Sequence, residues 1–223
     1  NGGSDFNSAQ TQVTLTGAAP VAVKTLTLNG AAMPVTWTST TNWSMIVPLG
    51  ARTNVLQIVG LDSSGRPYAG ATDSVTVTFT GGELPSPAGR VVIHEIMYHP
   101  RVPGASFIEL RNISVTSAFD LSGWQLNGVG YTFPEGTVLG PGAYAVIVEN
   151  RDAFAAAYGF GVLPVGEFPG TLQNNGERLT LLKPGATPDQ DIVVDEVRYD
   201  SRLFVGFIHH ASMIHGDYAD AME

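Results

Sequence analysis

His94-Glu95 followed by His99 is the arrangement closest to a reagent in this 223-residue chain. Two imidazoles and a carboxylate are the ligands and base of a helical zinc hydrolase, but that chemistry needs its histidines four apart, where they share one helical face. Here Tyr98 holds the fourth position and the second histidine the fifth. On a strand, an odd spacing sends the two rings to opposite faces, so no zinc catalysis is expected. Glu95 and Glu109 fall in neighbouring strand-like runs and invite the two-carboxylate chemistry of a glycosidase. A chain with 20 acidic residues offers many such pairs, and the expectation is structural, with Glu95 or Glu109 meeting Arg111 or turn amides. His209, His210 and His215 could take up a transition metal adventitiously; they lie in a tail expected to be disordered.

The other polar groups invite weaker chemistry. Asp62, Ser64 and Asp73 are oxygen ligands in search of calcium, and Asp189, Asp191, Asp195 and Glu196 form the densest acidic patch. Calcium wants about 6–8 oxygens, which no single loop supplies, so both groups read as solvated turns and strand edges. Trp37, Trp43 and Tyr131 could present an aromatic platform to a sugar or a peptide, although such rings more often close a sandwich core. Asn42-Trp43-Ser44 and Asn112-Ile113-Ser114 match the glycosylation acceptor, which has meaning only in a eukaryotic secretory pathway. Gly-x-Ser-x-Gly, phosphate-loop and dinucleotide fingerprints are missing. The expected site inventory is therefore bare: no catalytic residue, no cofactor-binding residue and no metal ligand.

The elements that would have to position these residues are short strands. Hydrophobic residues make up 43% and charged residues 14%, with 26 Gly and 14 Pro, a balance that favours strands and turns over helices. Without cysteine there is neither a disulfide framework nor a thiolate metal site. The net charge is −9 and the only lysines are Lys24 and Lys183, which argues against a phosphate-tracking stripe and hence against nucleic acid as a partner. No run approaches the roughly 20 apolar residues of a membrane span.

Residues 1–10 have no period and read as a flexible lead-in. From 11 to 80, alternation in Gln12-Val13-Thr14-Leu15-Thr16 and Thr25-Leu26-Thr27-Leu28 marks strands. Asn29-Gly30 is the preferred pair for a type I′ hairpin turn, and runs near 33–37, 43–47, 54–61 and 74–79 complete an antiparallel sandwich. Residues 81–89, with two prolines and three glycines, read as a linker between separately cored units. A second sandwich spans 90–200. Within it Asp120-Leu121-Ser122-Gly123-Trp124 reads as a polar turn that delivers an indole into a sheet interior, and Asn150 caps a short helix over 153–158.

Val-Ile-His-Glu-Ile-Met at 92–97, Phe-Ile-Glu-Leu at 107–110, Asp-Leu-Ser-Gly-Trp at 120–124, Tyr-Thr-Phe-Pro at 131–134, Leu-Gly-Pro-Gly-Ala-Tyr at 139–144 and Gly-Glu-Arg-Leu-Thr-Leu at 176–181 resemble the lamin tail domain family. The resemblance implies an immunoglobulin-like β-sandwich without an active site, in the version found in large bacterial surface or secreted proteins. Residues 11–80 resemble the immunoglobulin-like module that often precedes it there, commonly downstream of a spore-coat-type kinase domain; this chain contains no such kinase sequence.

The expectation is thus all-β: two immunoglobulin-like antiparallel sandwiches in tandem, with one short helix in the second. The chain opens at Asn1 without Met, which suggests a piece of a larger polypeptide. At Asp200 the family pattern stops, so residues 201–223 are expected to be divergent, truncated or disordered and to leave a sheet edge badly covered. The function expected is a non-enzymatic spacer or adhesion module, extracellular or at the cell surface, with protein or polysaccharide as partner. The alternatives are a polysaccharide- or protein-binding module that uses exposed aromatics, and an accessory domain of a larger enzyme.

Overall fold

The computed structural model describes residues 3–199 and 212–215. Its backbone contacts divide into two units. One runs to Pro85 and also takes Thr116–Ser122 and Pro134–Gly140; the other comprises Ser86–Val115, Gly123–Phe133 and the chain from Pro141 onward.

In the first unit β1 (Phe6–Ser8), β2 (Gln12–Ala18), β3 (Thr25–Leu28), β4 (Ala31–Ala32), β5 (Thr36–Trp37), β6 (Asn42–Pro48), β7 (Thr53–Leu61) and β8 (Pro67–Phe79) follow one another. They form a sheet of order β1-β8-β7-β3-β4 and a second of order β2-β6-β5. The alternation seen in the sequence sets the layers: Val13 and Leu15 of β2, Met45 and Val47 of β6, Leu56 and Ile58 of β7, and Val75, Val77 and Phe79 of β8 share one core. Asn29 and Gly30 both have positive φ, 52° and 90°, as a type I′ turn demands. The returning strand β4 is only two residues long, and β5 then leaves to pair with β6 in the other sheet. The return strand thus lies at Ala31–Ala32, before the expected 33–37, and of that stretch only Thr36–Trp37 is a strand, in the other sheet; Pro34, which cannot donate to a ladder, lies between the two.

The second stretch continues with β9 (Val91–His99), β10 (Phe107–Asn112), β11 (Phe119–Asp120), β12 (Gln125–Asn127), β13 (Tyr131–Thr132), β14 (Val138–Leu139), β15 (Tyr144–Val148), α1 (Arg151–Tyr158), β16 (Gly166–Glu167), β17 (Glu177–Lys183), β18 (Ile192–Tyr199) and β19 (Ser212–His215). The sheets run β16-β15-β10-β9-β19 and β13-β12-β17-β18, with β11-β14 as a separate pair. Ile93, Ile96, Ile108, Leu110, Ile147, Leu126, Leu179 and Leu181 are almost fully buried and supply the interior that apolar strands require.

Both bodies are β-sandwiches, and the only α-helix among the described residues is α1, capped at its N-terminus by the Asn150 side chain, which accepts from the Ala153 amide at 2.9 Å. The sheets are not wholly antiparallel as expected: β1 on β8, β16 on β15 and β19 on β9 pair in parallel, all at sheet edges. A sheet edge was expected to lie open or badly covered; at the edge of β9, Ser212–His215 add a strand along Glu95–His99. The remaining residues expected to form a disordered tail, His209 and His210 among them, lie outside the described residues.

Candidate functional site

Regular alternation along β10 sends Ile108, Leu110 and Asn112 into the sandwich and leaves Phe107, Glu109 and Arg111 on the other face of the sheet. In the antiparallel ladder Glu109 stands directly opposite Glu95, whereas the next residue, Leu110, pairs with Ile93. His94 is thereby the extra residue of a β-bulge. Bulges re-aim side chains, and this one turns the imidazole onto the face that strict alternation would deny it. His94 Nδ1 lies 2.8 Å from Glu109 Oε1. One ligand atom from each of His94, Glu95 and Glu109 can be chosen so that all lie within 4.8 Å of one another.

Two aromatic groups flank the cluster. Tyr144, which pairs with Arg111 across β10 and β15, meets the His94 ring edge-on at 5.4 Å and carries the Arg111 guanidinium over its own face at 5.1 Å. Farther along the sheet, Phe107 packs edge-on against Phe154 at 5.7 Å and Tyr158 at 5.4 Å, so that α1 covers the rest of this face. The His94 and Glu109 side chains remain 30% and 20% exposed, open to water on one side only. Burial and then the Glu109 charge push the Glu95 carboxyl above its usual range, against a smaller opposing pull from His94. Burial, followed by the Glu95 charge, likewise raises the Tyr158 phenol.

The sequence places Glu95 and Glu109 on neighbouring strands but does not bring His94 to them. Glu109 meets His94, not Arg111 or turn amides as expected, because the bulge swings the imidazole to it. His99, on the exposed end of β9, is not a member of the cluster. The other candidates disperse into turns and edges. Asp62 Oδ1 accepts the Ser64 and Arg66 amides at a hairpin tip. Asp191 takes the Gly185 amide, Asp195 the Ile93 amide at 2.7 Å, and Glu196 pairs with Arg178 at 3.2 Å. Trp43 is 7% exposed and Tyr131 6%, so both close the core, the reading favoured over an aromatic platform; of the three rings only Trp37, at 36%, reaches the surface. Asn112 is fully buried with its amide oxygen on the Ser114 amide, which removes it as a glycan acceptor. No helix among the described residues is long and apolar enough to cross a membrane.

The family model described as Lamin Tail Domain matches residues 85–201, more than half of the chain. No curated protein matches in sequence. Among solved structures, the chain is similar to the Bacteroides ovatus mixed-linkage glucan utilization locus SGBP-B in complex with a mixed-linkage heptasaccharide: 12% identity over 93% of this chain and 43% of that one, TM-score 0.25. A biofilm associated protein BSP domain follows at 10% identity, over 89% of this chain and 28% of that one, TM-score 0.24. The D00-D0 domain of intimin shares 10% identity over 87% of this chain and 95% of its own, TM-score 0.22. The chain thus spans less than half the length of the first two. Overlaps this loose decide nothing about ligand or activity.

Proposed function

The chain belongs to the lamin tail domain family, and on that footing we propose that it is a non-catalytic structural or adhesion module of a bacterial secreted or cell-surface protein. Its first sandwich, residues 11–80, is read as the immunoglobulin-like module that precedes the lamin tail domain of residues 90–200, with 81–89 as the linker. Protein or cell-surface polysaccharide is the partner class this reading implies, within a larger polypeptide.

One observation carries the proposal: Asp120, Asp195 and Glu177 of this segment are engaged in holding backbone or a neighbouring side chain. Asp120 Oδ1 accepts the Ser122 amide at 2.9 Å, and Trp124, which that turn delivers, is buried. Asp195 reaches from β18 to the Ile93 amide beside the bulge, and Glu177 accepts the Tyr199 hydroxyl at 2.8 Å. Groups committed in this way are poor reagents.

The test is made in the bacterium that produces the chain. Antibody raised against it should label intact cells without permeabilisation. In-frame removal of residues 90–200 should weaken surface attachment while leaving any catalytic activity of the parent polypeptide unchanged. Labelling only after permeabilisation would overturn the location, and loss of a parent activity with attachment intact would overturn the non-catalytic role.

A further inference from the structure

The geometry points to a divalent transition-metal site formed by His94, Glu95 and Glu109 on the outer face of the β9–β10 ladder, with zinc as its natural occupant. The inference goes beyond the structural role proposed above and does not rest on it.

Three observations converge. The ligand atoms of an imidazole and two carboxylates fall within 4.8 Å of one another, and this is a donor set that suits zinc and its first-row neighbours better than calcium or magnesium, which favour oxygen alone. The two carboxylates are also exact cross-strand partners. Like charges directly opposite one another destabilise a sheet, and here they are partly withdrawn from water, so the fold pays for the juxtaposition unless a cation is shared. The third observation is the bulge: without it His94 would point away, and the ladder gives up one regular pairing at that step to bring the imidazole round.

The contact between His94 Nδ1 and Glu109 Oε1 at 2.8 Å is what the pair makes when a proton lies between the two atoms. Ligands about 2.0–2.1 Å from a tetrahedral zinc stand roughly 3.3 Å apart, so loading requires the pair to open by about half an ångström while the metal replaces that proton. His94 and Glu109 are held on strand backbone, and Tyr144 walls the imidazole from one side, which fixes ring orientation as supporting contacts do in metal sites. The Arg111 charge, which would oppose a cation, is turned onto the face of Tyr144. The open side of the cluster leaves a fourth position for water or for a donor from another molecule.

The experiment is a titration of the full chain, freed of metal with a chelator, with zinc chloride by calorimetry at pH 7, alongside thermal unfolding with and without zinc. The chain should bind zinc saturably, release protons on binding and melt at higher temperature when loaded. The variant Glu95→Gln/Glu109→Gln should lose one equivalent, and the zinc-dependent rise in melting temperature should vanish. Because that variant relieves the carboxylate repulsion, its metal-free form should melt no lower than the parent, which separates lost ligation from lost folding. His94→Gln should weaken the same equivalent by at least about tenfold, comparable to the loss of a supporting contact elsewhere. Calcium and magnesium should not compete. An unchanged stoichiometry in the double carboxylate variant would place the bound zinc on other residues, such as the histidines at 209, 210 and 215, and would overturn the assignment, as would the absence of saturable binding to the parent.

Discussion

Tyr131 carries a hydroxyl that the fold does not use. The ring is buried, stands edge-on to Phe133 at 5.0 Å, and its oxygen has no hydrogen-bond partner; burial pushes the pKa of the phenol up. Since an unpaired buried hydroxyl costs desolvation with no return, Tyr131→Phe should leave stability unchanged or raise it by up to about 1 kcal/mol. Urea denaturation measures this, and a clear loss of stability would mean that the oxygen does have a partner. Tyr199 is the opposite case. It is almost fully buried and donates to Glu177 at 2.8 Å, and burial followed by that bond raises its pKa far above the ordinary value. A phenol whose folded value is raised contributes stability that is complete below its unfolded value of about 10 and drains away as pH climbs beyond it. Denaturant midpoints should therefore fall above about pH 10 in the parent, and more gently in Tyr199→Phe, which should also lose about 1 kcal/mol at neutral pH. Parallel alkaline limbs in the two proteins would refute the account.

At the scale of the element, pairs of strands decide what single strands leave open. Trp43 could be read from its own segment either as a core residue or as a surface platform. Its fate is settled by Gly17, its cross-strand partner on β2: a β-carbon there would come within 2.5–2.8 Å of the indole ring, so the indole lies in the space the glycine vacates. Gly17→Val should push the ring off the strand at a cost of about 1–3 kcal/mol. The displacement should appear as a red-shifted, more quenchable tryptophan emission; unchanged emission with unchanged stability would mean that the ring sits elsewhere. The same logic marks what the sequence disclosed. Alternation in 12–16, 25–28 and 107–111, the Asn29-Gly30 turn and the Asn150 cap were legible because each is a property of neighbouring residues. Which face His94 occupies was not, because a bulge belongs to the register between β9 and β10, and no residue of β9 announces it. The parallel edge strands escaped for a related reason, since local alternation identifies a strand without naming its partner.

For the whole molecule, the balance of charge and the way it is spent bear on nucleic acid as a partner. The net charge is −9 with 11 basic residues, and several of those are occupied close to home: Arg178 on Glu196, Arg111 over Tyr144, Arg90 on the Ser86 carbonyl and Arg52 on the Gly81 carbonyl. Affinity for a duplex rests on neutralising phosphates and releasing their counterions, and it grows with each cation brought to the backbone. Cations that are scattered, locally paired and outnumbered by carboxylates present no such track. The chain should therefore fail to shift duplex DNA even at about 50 mM salt, where electrostatic binding is strong. The measurement is discriminating because the two outcomes differ in slope as well as in extent: a phosphate-binding surface would give a complex that weakens steeply as salt is raised. Such a salt-dependent complex would require a local basic field that the net charge conceals, and would make nucleic acid a partner of this chain.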